Sequence, residues 1–200
     1  MSNDNNTQTV ELTALQRGDR GAFALMVDAN SDQIYRLALK MLGNEQDAED
    51  VLQETFIKAF KNIHRFEGRS KLSTWLYRIA VNESLMILRK RKGITVDIDQ
   101  DFETDDGELM PRQITDWCCL PEKELMSAET RHAIDQAIKT LSDTNRAAFL
   151  LRDVEGLSTQ EAAEVLNISE SALKVRLMRA RMALRESLTG YFSDKMQSKV

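Results

Sequence analysis

The chain has 200 residues, 42% of them hydrophobic, with only two prolines and eight glycines. That supports one large or two small cores of helical character and excludes a collagenous or disordered chain; no apolar run reaches the roughly 18 residues of a membrane span. The net charge of −5 argues against a nucleic-acid partner only until it is mapped. Residues 1–93 hold fourteen basic and twelve acidic side chains, 94–130 two and eleven, and 131–200 eleven and nine, so the acidity is central and both ends remain free to meet phosphates.

The start, Met1 to Gln8, is polar and lacks the charged and apolar pattern of a signal peptide, which makes a cytoplasmic protein the expectation. Ile34, Leu37, Ala38, Met41 and Leu42 keep a helical apolar period. Gly43 and Asn44 then punctuate one helix from the next, with Asp47 placed to oppose the helix dipole. Leu52, Phe56, Phe60 and Ile63 continue the apolar stripe. Beside it stand Glu45, Asp47, Glu49, Asp50 and Glu54, with no base among them. One or two carboxylates suit a helix start; five suggest docking against a basic partner.

A loop from His64 to Lys71 leads into a helix running from Leu72 towards Arg89-Lys-Arg-Lys92. Here Phe60, Phe66, Trp75 and Tyr77 interleave with Lys61, Arg65, Arg69, Lys71 and Arg78. Single-stranded DNA is held by stacking on aromatic rings and by cations along its backbone. Phe60 and Trp75 read as core residues of an amphipathic helix, whereas Phe66, in a glycine-containing loop, reads as a stacking residue. Asn82 has the hydrogen-bonding groups to read an extruded base.

Gly93 suits a left-handed helix end. Asp97, Asp99, Asp101, Glu103, Asp105, Asp106 and Glu108 follow without a base between them, an extended, self-repelling tether. Cys118 and Cys119 are adjacent and without a second pair, so they read as neither a staple nor a zinc site; His64 and His132 lack ligand-spaced partners. Helix signals resume at Pro121. The expectation is an all-α chain of two small helical domains, 1–93 and 121–200, joined by an acidic flexible linker over 94–120. No cofactor or metal is expected.

Near the far end, Ser158 and Glu161 form a capping-box pattern. Asn167 suits a left-handed turn residue, and Ser169 can cap the next helix. From Lys174 to Arg185 five basic residues occur and no acidic one. At about 100° per residue, Leu173, Leu177, Ala180 and Leu184 share one stripe. Ser171, Val175, Arg176 and Arg179 fall on or near the other side. This is a helix-turn-helix whose second helix suits a major groove.

Asp47-Ala-Glu-Asp50-Val-Leu-Gln53-Glu54-Thr-Phe56, Phe66-x-Gly68-x-Ser70, Thr74-Trp75-Leu-Tyr-Arg78-Ile-Ala-Val-Asn82, Glu155-Gly-Leu-Ser158 and the helix-turn-helix ending Arg179-Ala-Arg181 together resemble the extracytoplasmic-function class of bacterial RNA polymerase sigma factors. The resemblance covers roughly 10–93 and 121–188. It implies a contact with the β′ coiled coil of core RNA polymerase through Asp47, Asp50, Val51, Gln53, Glu54 and Phe56. It implies recognition of the −10 element through Phe66, Arg69, Ser70, Lys71, Trp75, Arg78 and Asn82. It implies recognition of the −35 element through Ser169, Ser171, Lys174, Val175, Arg176 and Arg179. An anti-sigma factor is a further implied partner. The recognition helix departs from the family's usual Gly-Thr-Val start, having Ser171-Ala172-Leu173, and Val175 stands where a polar residue is common.

The expected activity is non-enzymatic: promoter selection by two tethered modules, with strand opening driven by trapping unstacked bases. In the free chain the modules are expected to be held apart or masked. The rival is a conventional helix-turn-helix operator-binding regulator, which leaves the acidic 45–54 helix and the aromatic-basic stretch without a purpose. An enzyme is disfavoured by the lack of a phosphate loop or catalytic constellation.

Overall fold

The computed structural model describes residues 12–93 and 128–197. The acidic tether expected over 94–120, the Cys118-Cys119 pair and the helix start expected at Pro121 all lie outside these residues. Every regular element among the described residues is helical.

After a helical stretch over residues 12–16, which adds Leu15 to the core, three longer helices build the first module. Helix α1 (Arg20–Leu42) starts where the Asp19 carboxylate accepts from the Ala22 amide at 2.8 Å. It ends at Gly43, whose φ of 66° places it in the left-handed region, where a side chain is costly. Asn44 caps α2 (Glu45–Asn62) by accepting from the Asp47 amide at 2.9 Å. A 3₁₀ turn (Ile63–Arg65) and a loop lead to α3 (Leu72–Arg91). Ile34, Leu37 and Met41 of α1, Val51 of α2, and Leu76 and Val81 of α3 are fully enclosed; each such side chain stabilises the module by about 1.5–3 kcal/mol.

The second module begins with α4 (Ala128–Thr140) and α5 (Asp143–Phe149). The latter widens into a single π-helical turn, Leu150–Val154, closed by a 2.9 Å bond from the Glu155 amide to the Leu150 carbonyl. Helix α6 (Thr159–Leu166) carries the expected capping box: the Glu161 amide donates to Ser158 Oγ at 3.2 Å and the Ser158 amide to Glu161 Oε2 at 2.8 Å. Asn167, at φ 53°, makes the turn, and the Ala172 amide donates to Ser169 Oγ at 3.1 Å at the start of α7 (Glu170–Gln197).

The two modules pack against each other, α3 on α6 and α1 on α4 and α5, and their buried residues form one contiguous core. Arg146 of α5 lies in this seam with 8% of its surface exposed. Its guanidinium donates to the carbonyls of Ile138 (3.2 Å), Lys139 (2.6 Å) and Leu141 (3.0 Å), where α4 ends. A fourth bond, at 2.6 Å, reaches the Met41 carbonyl in the last turn of α1. Burial lowers its pKa and the nearby Asp143 carboxylate opposes the shift. Helix C-termini present orphan carbonyls and partial negative charge, the surroundings in which a buried arginine is satisfied.

Candidate polymerase and nucleic-acid interfaces

The acidic face of α2 divides into inward and outward residues. Val51 and Phe56, expected to contact a partner, are core residues, 1% and 9% exposed. For Phe56 this corrects the expectation, since it lies on the apolar stripe of α2 and supports the outer face from within; Val51, although enclosed, still borders the groove between α2 and α3. Asp47 is engaged within the chain, paired with Arg91, whose other nitrogen donates to the Leu42 carbonyl at 3.0 Å.

Asp50, Gln53 and Glu54 line a groove of about 320 Å³ between α2 and α3, together with Ile57, Glu83, Met86 and Ile87. Ile57 and Met86 are exposed apolar side chains. The buried Glu83 carboxylate accepts from Lys58 at 2.6 Å, and Lys58 also lies 3.6 Å from Glu54. Sequence reasoning missed Ile57, Glu83 and Met86. Ile57 sits beside the apolar stripe of its own helix, and the groove exists only once α3 is laid alongside.

Lys71, the residue that precedes α3, and Trp75, Arg78 and Asn82 within it recur at helical spacing along one side. Phe66 does not stack outward: it is 8% exposed, its ring 5.2 Å from that of Trp75, and Gln16 donates to its carbonyl at 2.7 Å. The loop turns at Gly68, φ 71°, and folds the ring under the helix start. Phe60 departs from its expected place in the opposite sense. It is 51% exposed and meets the Phe23 ring edge-on at 5.0 Å. Arg69 and Asn82 are exposed, and Ser70 is partly covered.

Two cations of this face meet the second module. Lys71 pairs with Glu161 at 3.0 Å. Arg78 Nη2 donates to the Glu164 carbonyl at 2.9 Å and to its carboxylate at 3.0 Å. Between them the buried Tyr77 hydroxyl donates to Glu155 at 2.9 Å and lies 3.2 Å from Gln33 Oε1. Burial first, then the Glu155 carboxylate, push the phenol above its ordinary range.

On α7, Ser171, Lys174 and Val175 face solvent, and Ser171 Oγ lies 2.9 Å from Ser169 Oγ. Arg179 is partly covered. Arg176 is only 9% exposed, which corrects its expected place on the outer face. At about 100° per residue it stands roughly 70° from the centre of the leucine seam, close enough for its aliphatic stem to be enclosed. Burial, then repulsion from Arg179, lower its pKa. Met178, not expected as a contact, is 55% exposed. With Arg152, Thr159, Lys174, Leu177, Arg181 and Met182 it lines a cleft of about 410 Å³. Arg181 is held there by two bonds to Asp153, 2.9 and 2.7 Å, on the π turn.

The comparisons with known proteins agree with this division. Residues 26–94 match Sigma-70 region 2 and residues 131–184 match Sigma-70 region 4. The chain is 41% identical over 174 residues to the ECF RNA polymerase sigma factor SigW of Bacillus subtilis, covering 87% of this chain and 92% of that protein. The chain is an ECF sigma factor. It is also 33% identical to the RNA polymerase sigma-H factor of Pseudomonas aeruginosa, over 94% of this chain and 96% of that one. Among solved structures it is similar to the sigma factor RpoE of Bartonella quintana in complex with the anti-sigma factor NepR, with a TM-score of 0.60 and 26% identity, covering 84% of this chain and 96% of that one. The sigma factor thus directs RNA polymerase to promoters, with region 2 built on α1–α3 and region 4 on α4–α7. The rival reading as a stand-alone operator-binding regulator is disfavoured, since it has no use for region 2. No helix among the described residues is long and apolar enough to cross a membrane.

Proposed function

We propose that this sigma factor divides promoter selection among three surfaces of its own. The groove bordered by Asp50, Gln53 and Glu54 and floored by Ile57 and Met86 takes an amphipathic helical element of core polymerase, the β′ coiled coil, with basic side chains over the carboxylates. Arg69, Ser70, Lys71, Arg78 and Asn82 hold the −10 strand, with Trp75 braced by Phe66 from beneath. Ser171, Lys174, Val175, Met178 and Arg179 read the −35 duplex, where Val175 is suited to a thymine methyl group. The domains are taken as 1–93 and 121–200, and the acidic segment between them limits their separation. Tethering makes the second contact effectively intramolecular, so only promoters with the right spacing engage both modules.

The reading rests above all on one observation. A carboxylate-bordered apolar groove on region 2 and a cationic, partly apolar recognition face on region 4 coexist in one chain. The chemistry asked of them is binding, with no catalytic step, and the site of action is the bacterial cytoplasm, where RNA polymerase works. An anti-sigma factor, such as the one that holds the Bartonella relative, would compete with polymerase for the groove. Run-off transcription by core polymerase on a library of promoter sequences tests the proposal. Initiation that depends on the added chain and selects two spaced elements is expected. Duplex binding without initiation would overturn it.

A further inference from the structure

We infer that Glu83 is a positioning residue for polymerase docking: it draws the Lys58 ammonium in towards α3 and so leaves the Glu54 carboxylate open to a basic side chain of the partner. The inference deepens the docking role proposed for the groove and rests on it. Helix α2 by itself would pair Lys58 with Glu54. The two are four residues apart with the acid on the N-terminal side, the favoured order for such a pair. In the folded chain the ammonium is drawn elsewhere. It lies 2.6 Å from Glu83 Oε1 and 3.6 Å from Glu54 Oε1. The first is a short, charge-assisted bond; the second is beyond hydrogen-bond reach. Glu83 comes from α3, and its side chain is 11% exposed against 44% for Glu54. The buried acid holds the cation, and the rim acid faces solvent.

Asp50, Glu54 and Glu83 all line the groove, and Lys58 is the base that stands between two of them. A Lys58 closed on Glu54 would cancel one of the two rim carboxylates beside Ile57 and Met86. It would also set a like charge against an incoming base, which costs affinity. Burial makes Glu83 the stronger holder. A charge pair away from water is screened less than one at the rim, and a buried carboxylate stripped of its cation is costly. A carboxylate that only tied α3 to α2 would add stability without making docking depend on Glu54.

The test is a double-mutant cycle on the full chain. Core polymerase is titrated into N-terminally fluorescein-labelled protein, and anisotropy reads Kd for the unaltered chain, Glu54→Gln, Glu83→Gln and the two combined. Circular dichroism and thermal melting follow the fold. Should Gln at 83 unsettle it, Glu83→Asp, which keeps the charge but retracts the carboxylate by one methylene, takes its place in the cycle. Glu54→Gln should weaken binding about fivefold, and the Glu83 substitution about threefold while Glu54 is present. With Glu54 already replaced, the Glu83 substitution should cost almost nothing more. Equal losses in both backgrounds would be bulk charge and overturn the inference, as would a Glu83 variant that binds like the unaltered chain. Loss of the helical fold in both Glu83 variants would make the residue purely structural and overturn it too. Undiminished binding by Glu54→Gln would condemn the docking role of the groove and the inference with it. A loss in Glu54→Gln that is uncoupled from Glu83 condemns the positioning alone.

Discussion

Glu161 serves two masters. Its carboxylate accepts the Ser158 backbone amide and engages the Ser158 hydroxyl, and it pairs with Lys71. These interactions, led by the Ser158 amide, hold it down to about 2, from an ordinary 4.5. A carboxyl held low in the folded chain contributes stability that is complete above the ordinary value and lost as the pH falls towards 2. Glu161→Ala should therefore cost about 1 kcal/mol at pH 7, as loss of a cap does, and almost nothing near pH 2, compared by urea denaturation at the two pH values. Arg146 is the other residue on which much depends. Replacing it with Met removes four bonds to carbonyls in the seam, of which that of Ile138 alone keeps a second donor in the Leu141 amide, and should lower stability by about 3 kcal/mol, read from the midpoint of the same titration. Single-residue signals of the first kind were legible in the sequence. Ser158 with Glu161, Gly43, Asn44, Asn167 and Ser169 all act through neighbours within a few positions, and each ends or starts a helix as expected. Arg146 gave no such sign, because its fourth acceptor, the Met41 carbonyl, lies 105 positions away.

At the scale of one element, α7 shows how far periodicity reaches. The leucine seam was legible, and so was the exposure of Ser171, Lys174 and Val175. The margin of the seam was not. Arg176 and Arg181 stand at similar angles on opposite flanks, yet Arg176 is enclosed while Arg181 is drawn out to Asp153 on the π turn. Angle alone does not distinguish them, since the neighbouring segment decides which flank is covered. The same limit applied to the aromatic residues: Phe66 and Phe60 exchanged their expected places once the Gly68 turn and the Phe23 ring were present. For the recognition helix, two variants separate positioning from reading. Lys174→Ala should weaken duplex binding across all sequences and reduce the salt slope by about 1. Val175→Ala should leave the salt slope alone and lower preference at one position by about 1 kcal/mol. Electrophoretic mobility shifts on a −35 library at several salt concentrations distinguish the two.

At the scale of the whole molecule, the all-α class and two-module plan were legible, because composition and the segregation of charge follow directly from the chain. The groove proposed for polymerase was not, since α2 and α3 form it jointly and neither carries its shape alone. Asp50→Lys with Glu54→Lys should reduce core polymerase binding at least tenfold, by setting like charges against each other, while thermal melting stays close to that of the unaltered chain. Pull-down with core polymerase at two salt concentrations would show it, and undiminished binding would place the docking surface elsewhere.

The Arg146 anchor carries one more consequence. Three of its four acceptors belong to its own half of the molecule, and only the one on Met41 lies across the divide. Were the halves to part, water would have to replace one partner there while the other three stayed with the guanidinium. The carbonyls that finish α4 would stay satisfied, so the bond across the divide can be lost without loosening the fold of region 4.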